Sequence, residues 1–246
     1  PPILQLLQVA ACRRRDLNHV TNRGNQGMKL FLIRHAQSQN NALPTSQRVQ
    51  DAPITKLGSQ QARQLGQWAR HAGLDIMFTS PFRRALQTSQ QIHEAVAVEW
   101  MTWTGLHEQG GCVSGVDTAS FQGQPGMTAV EIQQEFPGCQ ITADIDEQGW
   151  WKSQSRETDV RLLERVLEVK DHLVDELGST DRTIACVTHA DFSDLLISAL
   201  QDNPVNPTVP LRGLFNTGIT SFTIEGSRVH LDGYNNVDHL PPELVT

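Results

Sequence analysis

The sequence predicts an α/β protein with three layers, in which helices cover both faces of a mostly parallel central sheet. Short apolar runs of strand length alternate along the chain with longer segments whose apolar residues recur at helical spacing. Two short runs, 29–34 and 182–189, are apolar over most of their length, as expected for strands buried on both faces. The chain has no internal repeat and no low-complexity linker, so residues 28–246 are predicted to form a single domain.

Each strand and helix is predicted from its own local signals. The predicted strands are KLFLIR at 29–34, DIMFTS at 75–80, VEWMTW at 98–103, RTIACVTH at 182–189, and a closing pair, GITSFTI at 218–224 and RVHLDGYN at 228–235. The predicted helices lie within 51–73, 82–96, 128–136, 155–178 and 190–200.

Capping residues and apolar spacing support the predicted helices. The first helix has a glycine, Gly73, where a C-cap belongs. The second is expected to begin at Ser80 and Pro81, a serine N-cap before a proline in the first turn. Thr128 and Glu131 have capping-box spacing. The apolar side of the long 155–178 helix is predicted to consist of Val160, Leu163, Val166, Leu167, Leu173, Val174 and Leu177.

The first 27 residues differ in character from the rest. A short apolar piece precedes three arginines at 13–15, whereas a secretory signal has its basic residues first. We expect residues 1–27 to be an appendage outside the fold, with Met28 close to the natural start, and a mitochondrial-type leader is the alternative. Residues 105–150, rich in glycine, glutamine and other polar residues, are predicted to form an excursion that covers the substrate.

Charge and cysteine content exclude several classes of function. The formal net charge of −7 argues against nucleic acid and the membrane surface as partners. No apolar run is long enough to span a bilayer. The four cysteines have no metal-ligand spacing and are typical of free thiols in a reducing compartment, so a cytoplasmic location is expected.

Two of the predicted buried strands end in a histidine. His35 follows Arg34 in IRHAQS, and His189 lies in VTHADF. Because the carboxyl ends of parallel strands form the ligand crevice of an open sheet, both histidines are expected at one edge, beside the arginines of SPFRRA. Helix starts and arginines attract anions, so this edge is predicted to bind one. A lone strand-end histidine is more often structural, and Arg83 and Arg84 point too far apart for both to reach the site.

These residues lie in motifs that resemble those of the histidine phosphatase superfamily, the phosphoglycerate-mutase-like proteins. LIRHAQSQNN is similar to its L-I-R-H-G-[ED]-[ST]-x-x-N signature, DAPITKLGSQQA to D-x-P-L-T-x-x-G-x-x-Q-A, TSPFRRALQTS to S-x-L-x-R-A-x-Q-T, and VTHADF to V-[ST]-H-G-x-x. LFNTGITSF and NNVDHL resemble its closing strand pair. The motifs occur in order over residues 28–240, and the resemblance implies a phosphoglycerate-mutase-like α/β/α fold.

The resemblance also implies a role for each matching residue. His35 corresponds to the nucleophile that becomes a phosphohistidine, and Glu108 to the general acid that protonates the leaving oxygen. The groups that hold the phosphoryl oxygens would be Arg34, Asn41, Arg84, His189 and Ala190. No metal or other cofactor is expected, because the arginines and histidines already supply positive charge.

Two positions depart from the family pattern. Ala36 stands where glycine is usual and Gln37 where an acidic residue is usual, and neither is expected to disable the site. After Glu108 the chain continues as Gln-Gly-Gly-Cys at 109–112, without the cations that the mutases carry there. We therefore expect a phosphomonoester hydrolase that acts on a small phosphorylated metabolite, with phosphoglycerate mutase-type phosphoryl transfer as the alternative.

Other interpretations remain open at this point. A phospho-ligand-binding protein without catalysis is one, and a metallohydrolase ligated by His35, His189 and Glu108 is another, although the neighbouring arginine disfavours a metal. Trp150 and Trp151 would either pack as cover residues or line the substrate entrance. The protein is expected to be a monomer or a homodimer whose partner is its phosphorylated substrate.

Overall fold

A seven-stranded sheet forms the centre of the computed structural model, which describes residues 27–117, 119–207 and 213–246. In chain order the strands are β1 (Met28–Arg34), β2 (Ile76–Thr79), β3 (Trp100–Thr102), β4 (Val113–Ser114), β5 (Gln122–Gly123), β6 (Cys139–Gln140), β7 (Thr183–Thr188), β8 (Ile219–Glu225) and β9 (Arg228–Asn236). The order across the sheet is β6-β3-β2-β7-β1-β8-β9, and β4 pairs with β5 in a separate ribbon. The predicted appendage at 1–27 lies outside the described residues, apart from Gly27, and stays a prediction.

The described helices connect these strands. They are α1 (Gln39–Ala42), α2 (Lys56–Ala72), α3 (Arg83–Val96), α4 (Ala129–Glu135), α5 (Asp159–Asp171) and α6 (Ala190–Leu200). The end of α5 continues as a π-helical turn, His172–Glu176, and single 3₁₀ turns occur at Thr45–Gln47, Thr104–Leu106 and Pro242–Leu244. Within the described ranges, none of these helices is long and apolar enough to cross a membrane.

The sheet is parallel where the site is built and antiparallel at one edge. β7 pairs in parallel with β1 and β2, and β3 pairs in parallel with β2 and β6. β8 and β9 complete the other edge as antiparallel strands. The carboxyl ends of β1, β7 and β2 therefore lie side by side, which confirms the predicted mostly parallel arrangement.

Alternation along β1 produces the three layers. Leu30 and Leu32 face one core, which they share with α5 and α6, because successive strand residues point to opposite sides. Phe31 and Ile33 face the other core, which is formed with α2 and α3. Phe31 packs edge-to-face on Trp68 of α2 at a centroid distance of 5.0 Å. The three-layer α/β fold is thus confirmed, and both faces of the sheet are covered.

Two of the predicted helix caps are confirmed, the C-cap at Gly73 and the capping box of Thr128 and Glu131. Thr55 caps α2 by accepting from the Gly58 N–H at 2.9 Å, and Gly73 ends it in the left-handed conformation. Thr128 and Glu131 form the predicted capping box at the start of α4. These contacts lie within a few residues of one another, so a sequence pattern is enough to predict them.

The predicted start of the second helix is wrong. The helix begins at Arg83, and its N-cap residue is Phe82 rather than Ser80. The Ser80 hydroxyl lies 2.7 Å from Nε2 of His189 and also accepts the Phe82 N–H at 3.4 Å. Phe82 itself has an extended backbone, with ψ of 136°, so the helix cannot begin before Arg83.

The predicted apolar side of the long helix is partly wrong. Val160 and Leu167 are exposed, with 65% and 49% of their surface accessible, whereas Leu162, Val166 and Val169 are buried. The buried face is therefore rotated from the predicted one, because the helix packs on α6 and the sheet at positions 162, 166, 169 and 173. Within the predicted 105–150 excursion, β6 pairs with β3 at the sheet edge, and the cover over the substrate stays a prediction.

The rotation of α5 can be tested with two leucines five residues apart, which lie on different sides of the helix. Leu162→Ala is expected to lower the free energy of unfolding by about 2–5 kcal/mol, because it opens a cavity in a packed core. Leu167→Ala, on the exposed side, is expected to change it by less than about 1 kcal/mol. Urea denaturation of both variants measures the difference. Equal losses would mean that the buried face of α5 has been assigned incorrectly.

Candidate active site

Three strand ends bring the predicted site residues together. Arg34, the last residue of β1, is paired in register with Thr188, the last residue of β7. The ladder continues past the strands, because the His35 N–H donates to the Thr188 carbonyl at 2.9 Å and the Ser80 N–H donates to the Val187 carbonyl at 2.9 Å. As a result the rings of His35 and His189 lie 5.0 Å apart between centroids.

The imidazole of His35 is held in one tautomer. Its Nδ1 lies 2.7 Å from the Ala36 carbonyl oxygen, which can only accept, so Nδ1 carries the proton. Its Nε2 receives a hydrogen bond from Nε of Arg84 at 3.1 Å and is therefore an acceptor with a lone pair. Burial, followed by the charges of Arg84 and Arg34, lowers the pKa of His35 well below its ordinary value. The ring is neutral at pH 7 and its Nε2 is unprotonated.

Two arginines and His189 surround that lone pair. Arg84 is 8% exposed and lies over the Phe82 ring at 4.1 Å. One end of the Arg34 guanidinium donates to the Leu214 carbonyl. Within the described ranges, Nε of Arg34 and Nδ1 of His189 are buried and have no hydrogen-bond partner. Buried polar atoms ordinarily have partners, so these two are candidate ligand-binding groups.

Burial of the two guanidinium groups costs free energy, because it removes water from their positive charges. The pKa of Arg34 and of Arg84 is lowered from its ordinary value, first by burial, which removes water from the guanidinium groups. Carboxylates oppose this shift, chiefly Glu108 for Arg34 and Asp51 for Arg84. A dianionic ligand between the two arginines would offset the lost hydration through charge-assisted hydrogen bonds.

Glu108 lies close enough to Arg34 and Arg84 for its charge to act on both guanidinium groups. Its Oε1 accepts from the Gln109 N–H at 2.9 Å and from the Phe192 N–H of α6 at 3.0 Å. Burial and then the charge of Asp191 raise the pKa of Glu108 to about 7. A substantial fraction of Glu108 is therefore protonated near neutral pH, which is the state that a general acid requires.

The two remaining predicted residues lie at the margin of the site. Asn41 is exposed, and its Oδ1 accepts from the Ser38 backbone at 3.0 Å and lies 3.4 Å from Nδ2 of Asn216. Ala190 is the first residue of α6, directly after His189, which is the N-cap. The N-terminus of α6, with its partly positive backbone N–H groups, thus faces the same space as His189.

Several residues of the site were not predicted. Asn216 donates to the His35 carbonyl at 3.0 Å, and the Thr217 N–H donates to the Arg34 carbonyl at 3.1 Å. Thr217 has a left-handed backbone, with φ of 58°, which is unusual for a β-branched residue. Its N–H thereby reaches the carbonyl group of the last residue of β1. Both residues lie in LFNTGITSF, the motif that resembles the closing strand pair of the family and for which the sequence predicts no site residues.

Two unpredicted carboxylates lie behind the cations. Asp51 accepts from the Arg83 N–H at 2.9 Å, and burial raises its pKa to about 6. Asp191 lies in the first turn of α6, where its charge acts on Arg34 and Glu108. The one available signal for Asp191 was its position two residues after His189, at the predicted helix start.

The two departures from the family pattern are accommodated. Ala36 is buried, keeps an ordinary negative φ, and donates its N–H to Oγ1 of Thr88 at 3.0 Å. The side chain of Gln37 accepts from the hydroxyl of Thr55, the N-cap of α2, at 2.8 Å. The Gln37 side chain therefore connects the segment after β1 to the start of α2, and its hydrogen bond is to Thr55 rather than to His35.

The tryptophans pack as cover residues. Trp150 and Trp151 are 4% and 8% exposed and pack on the His107 ring, and Trp150 also packs on Phe82. A Cβ added at Gly111, where φ is 77°, would lie 2.3 Å from the Trp151 ring. The lack of a side chain at Gly111 thus makes room for the Trp151 ring.

A separate cleft of about 840 Å³ lies beside this cover. Among the described residues, its lining includes His107, Trp151, Arg165 and His172 but none of the five residues predicted to be catalytic. Within the same ranges, no group of three or more histidine, cysteine, aspartate or glutamate side chains is arranged to hold a metal ion.

Comparison with known proteins assigns the family. The profile of the histidine phosphatase superfamily (branch 1) matches residues 30–237, which is most of the chain. The chain belongs to the histidine phosphatase superfamily. The resemblance drawn from the four motifs is thereby confirmed.

The similar proteins in this superfamily include both phosphatases and mutases by name. Phosphoserine phosphatase 1 of Hydrogenobacter thermophilus is 35% identical over 110 residues, 45% of this chain and 47% of that protein. A 2,3-bisphosphoglycerate-dependent phosphoglycerate mutase of Xylella fastidiosa is 30% identical over 110 residues, 42% of this chain and 44% of that one. The match thus spans less than half the length of these relatives.

A solved structure matches over a larger share of the chain. The phosphoserine phosphatase of Entamoeba histolytica, determined in complex with 3-phosphoglyceric acid, is 25% identical with a TM-score of 0.56. The match covers 87% of this chain and all of that one. The α/β fold of the superfamily therefore extends over nearly the whole described part of this protein.

The raised pKa of Glu108 predicts a measurable effect of pH on stability. The folded protein keeps the Glu108 proton up to about pH 7, whereas the unfolded chain releases it near 4.5, so stability falls as pH rises between these values. Glu108→Gln cannot ionise and is expected to be more stable than wild type at pH 8, by about 1–3 kcal/mol. The two proteins should be similar near pH 4.

Urea denaturation at several pH values measures this difference. Glu147→Gln, which changes an exposed carboxylate, is the matched control and should follow the wild type. A stability difference between Glu108→Gln and wild type that stays constant from pH 4 to 8 would contradict the raised pKa.

Proposed function

We propose that the protein is a phosphomonoester hydrolase that forms a phosphohistidine at His35 and acts on a small phosphorylated metabolite. The observation that carries the proposal is the neutral Nε2 of His35, surrounded by Arg34, Arg84 and His189. Buried atoms of Arg34 and His189 have no partner among the described residues. A tetrahedral dianion supplies the acceptors that these groups need.

Substrate binding replaces contacts that already exist. The phosphate oxygens take hydrogen bonds from Arg34, Arg84 and Nδ1 of His189, and Nε of Arg84 gives up its contact with His35. Nε2 then faces the phosphorus atom directly. The charge that spreads over the equatorial oxygens in phosphoryl transfer is stabilised by guanidinium groups that stay charged at any working pH.

The first chemical step forms a P–N bond and breaks a P–O bond. The lone pair on Nε2 of His35 attacks phosphorus in line with the ester oxygen, and Glu108 gives its proton to that oxygen as it leaves. In the second step water attacks phosphorus, its proton passes to the Glu108 carboxylate, and the bonding pair of the P–N bond returns to Nε2. Inorganic phosphate is released and both residues regain their starting states.

The assignment of hydrolysis over mutase-type transfer rests on the residues after the acid. Residues 109–112 contain no cation, and Gly111 lies against Trp151. Arg156 does lie beside Gly110, as the contacts of a Cβ added there indicate, so a cation from a distant segment reaches this margin. Because one relative is named as a mutase, phosphoryl transfer between hydroxyl groups is the second candidate reaction.

The proposed substrate is a small phosphorylated metabolite. Phosphoserine phosphatases among the relatives suggest a small molecule with a charged group near the phosphate. Metal ions are not required by the proposed steps. The protein is proposed to act in the cytoplasm as a monomer or a homodimer, without nucleic acid or membrane partners.

The phosphoenzyme is the most specific expectation. Rapid quenching during turnover of a ³²P-labelled monoester should trap label on the protein that is stable to base and labile to acid. His35→Ala should trap none and should lose turnover, whereas His230→Ala, an exposed histidine on β9, should behave as wild type. Wild-type turnover without any label at His35 would contradict the nucleophile.

The role of Glu108 predicts a dependence on the leaving group. Glu108→Gln should lower kcat/KM for alkyl phosphates by about 10²–10⁴-fold, because alkoxides leave poorly without a proton donor. Aryl phosphates leave easily and should lose less than about tenfold. A series of esters with leaving groups of different pKa measures this, and equal losses across the series would exclude Glu108 as the acid.

A single assay separates the two candidate reactions. With 3-phosphoglycerate as substrate, a hydrolase releases inorganic phosphate in a stoichiometric amount. A mutase instead forms an isomer when primed with a bisphosphorylated compound. We expect phosphate release, and isomer formation at a higher rate would assign the mutase reaction.

A further inference from the structure

A buried ion pair lies next to the acid segment, residues 105–111, and takes no part in the proposed chemistry. Arg165 of α5 and Glu157, just before that helix, form two parallel hydrogen bonds of 2.8 and 2.7 Å. Their side chains are 11% and 6% exposed. Buried pairs of this kind cost hydration on both partners, so a role beyond stability is worth testing.

The remaining donors of Arg165 hold the chain that leads into Glu108. Nη1 of Arg165 donates to the Gly105 carbonyl at 2.8 Å and to the His107 carbonyl at 3.0 Å. The His107 ring, whose Nδ1 lies 2.8 Å from the Glu108 carbonyl, continues this support by one residue. The guanidinium group of Arg165 therefore fixes two backbone carbonyl groups in the residues that precede Glu108.

Glu157 holds the other side of the acid. Its N–H donates to the Gly110 carbonyl at 3.1 Å, and its Oε2 lies 3.4 Å from the Gly110 N–H. The ion pair thus joins the backbone before Glu108 to the backbone after it. We call Arg165 and Glu157 together the clamp.

The clamp also contacts the residue that binds the acid directly. The guanidinium carbon of Arg165 lies over the Phe192 ring at 4.4 Å. Phe192 donates its backbone N–H to Oε1 of Glu108 at 3.0 Å. Arg165 therefore orients both the segment that carries the carboxyl group and the α6 turn that receives it.

The geometry points to the clamp as the positioning device for the general acid: Arg165 and Glu157 hold Glu108 at the ester oxygen without touching substrate. This inference rests on the proposed function and adds two residues to it. Arginine is required because its planar fork can serve a carboxylate and two carbonyl groups at once, which a lysine ammonium cannot. A misplacement of about 1 Å in a catalytic group is enough to cost a large factor in rate.

Two conservative variants test the clamp. Arg165→Lys keeps the charge and loses the fork, and Glu157→Gln keeps the shape and loses the charge. Both are expected to lower kcat/KM for alkyl phosphates by about 10- to 100-fold and for aryl phosphates by less than about threefold. Arg161→Lys, on the exposed side of the same helix, is the control and should resemble wild type.

A double variant shows whether the clamp acts through Glu108. In a Glu108→Gln background, Arg165→Lys should lower alkyl ester hydrolysis by less than about threefold further, because the group that it positions is already absent. A further loss of full size would mean that Arg165 supports something else, and so would an equal loss for aryl and alkyl esters in the single variants. Either result overturns the inference.

Hydrogen exchange tests the clamp independently of activity. Arg165→Lys should accelerate amide exchange in peptides covering 105–111, while β1 and β7 keep wild-type protection. Unchanged exchange in 105–111 would overturn the clamp even if the enzyme is active. Accelerated exchange in a protein without phosphatase activity would leave the clamp standing and reject the proposed function instead.

Discussion

The parallel pairing of β1 with β7 is the constraint on which the site depends. It places Arg34 opposite Thr188, so the next residue on each strand is a histidine and the two rings lie side by side. A slip of one residue would turn one of these side chains to the opposite face of the sheet. The backbone hydrogen bonds beyond the strand ends, and the kink at Thr217, extend this register to the nucleophile itself.

That geometry concentrates positive charge in an acidic protein. Arg34 and Arg84 lose hydration on burial, and carboxylates at Asp51, Glu108 and Asp191 compensate them only in part. Neutral histidines add hydrogen-bonding groups without adding charge. The result is a site that is ready for a dianion, while burial and then the charge of Asp191 raise the pKa of Glu108 to about 7.

The sequence predicts the parts of this arrangement that depend on local patterns. Strands that end in Arg-His or Thr-His, a capping box at Thr128 and a motif set in the right order are sufficient for the fold and for the predicted site residues. Three features depend on contacts between distant segments: the helix start at Arg83, the buried face of α5 and the clamp. The spacing of residues along the sequence does not predict such contacts. Arg165 illustrates the limit, because its position within a charged helix is typical of a solvent-facing residue.

A crystal structure with orthovanadate tests the central claim most directly. We expect vanadium bonded to Nε2 of His35, with equatorial oxygens on Arg34, Arg84 and Nδ1 of His189 and the apical oxygen next to Glu108. Vanadate bound at another site, with His35 still joined to Arg84, would contradict it.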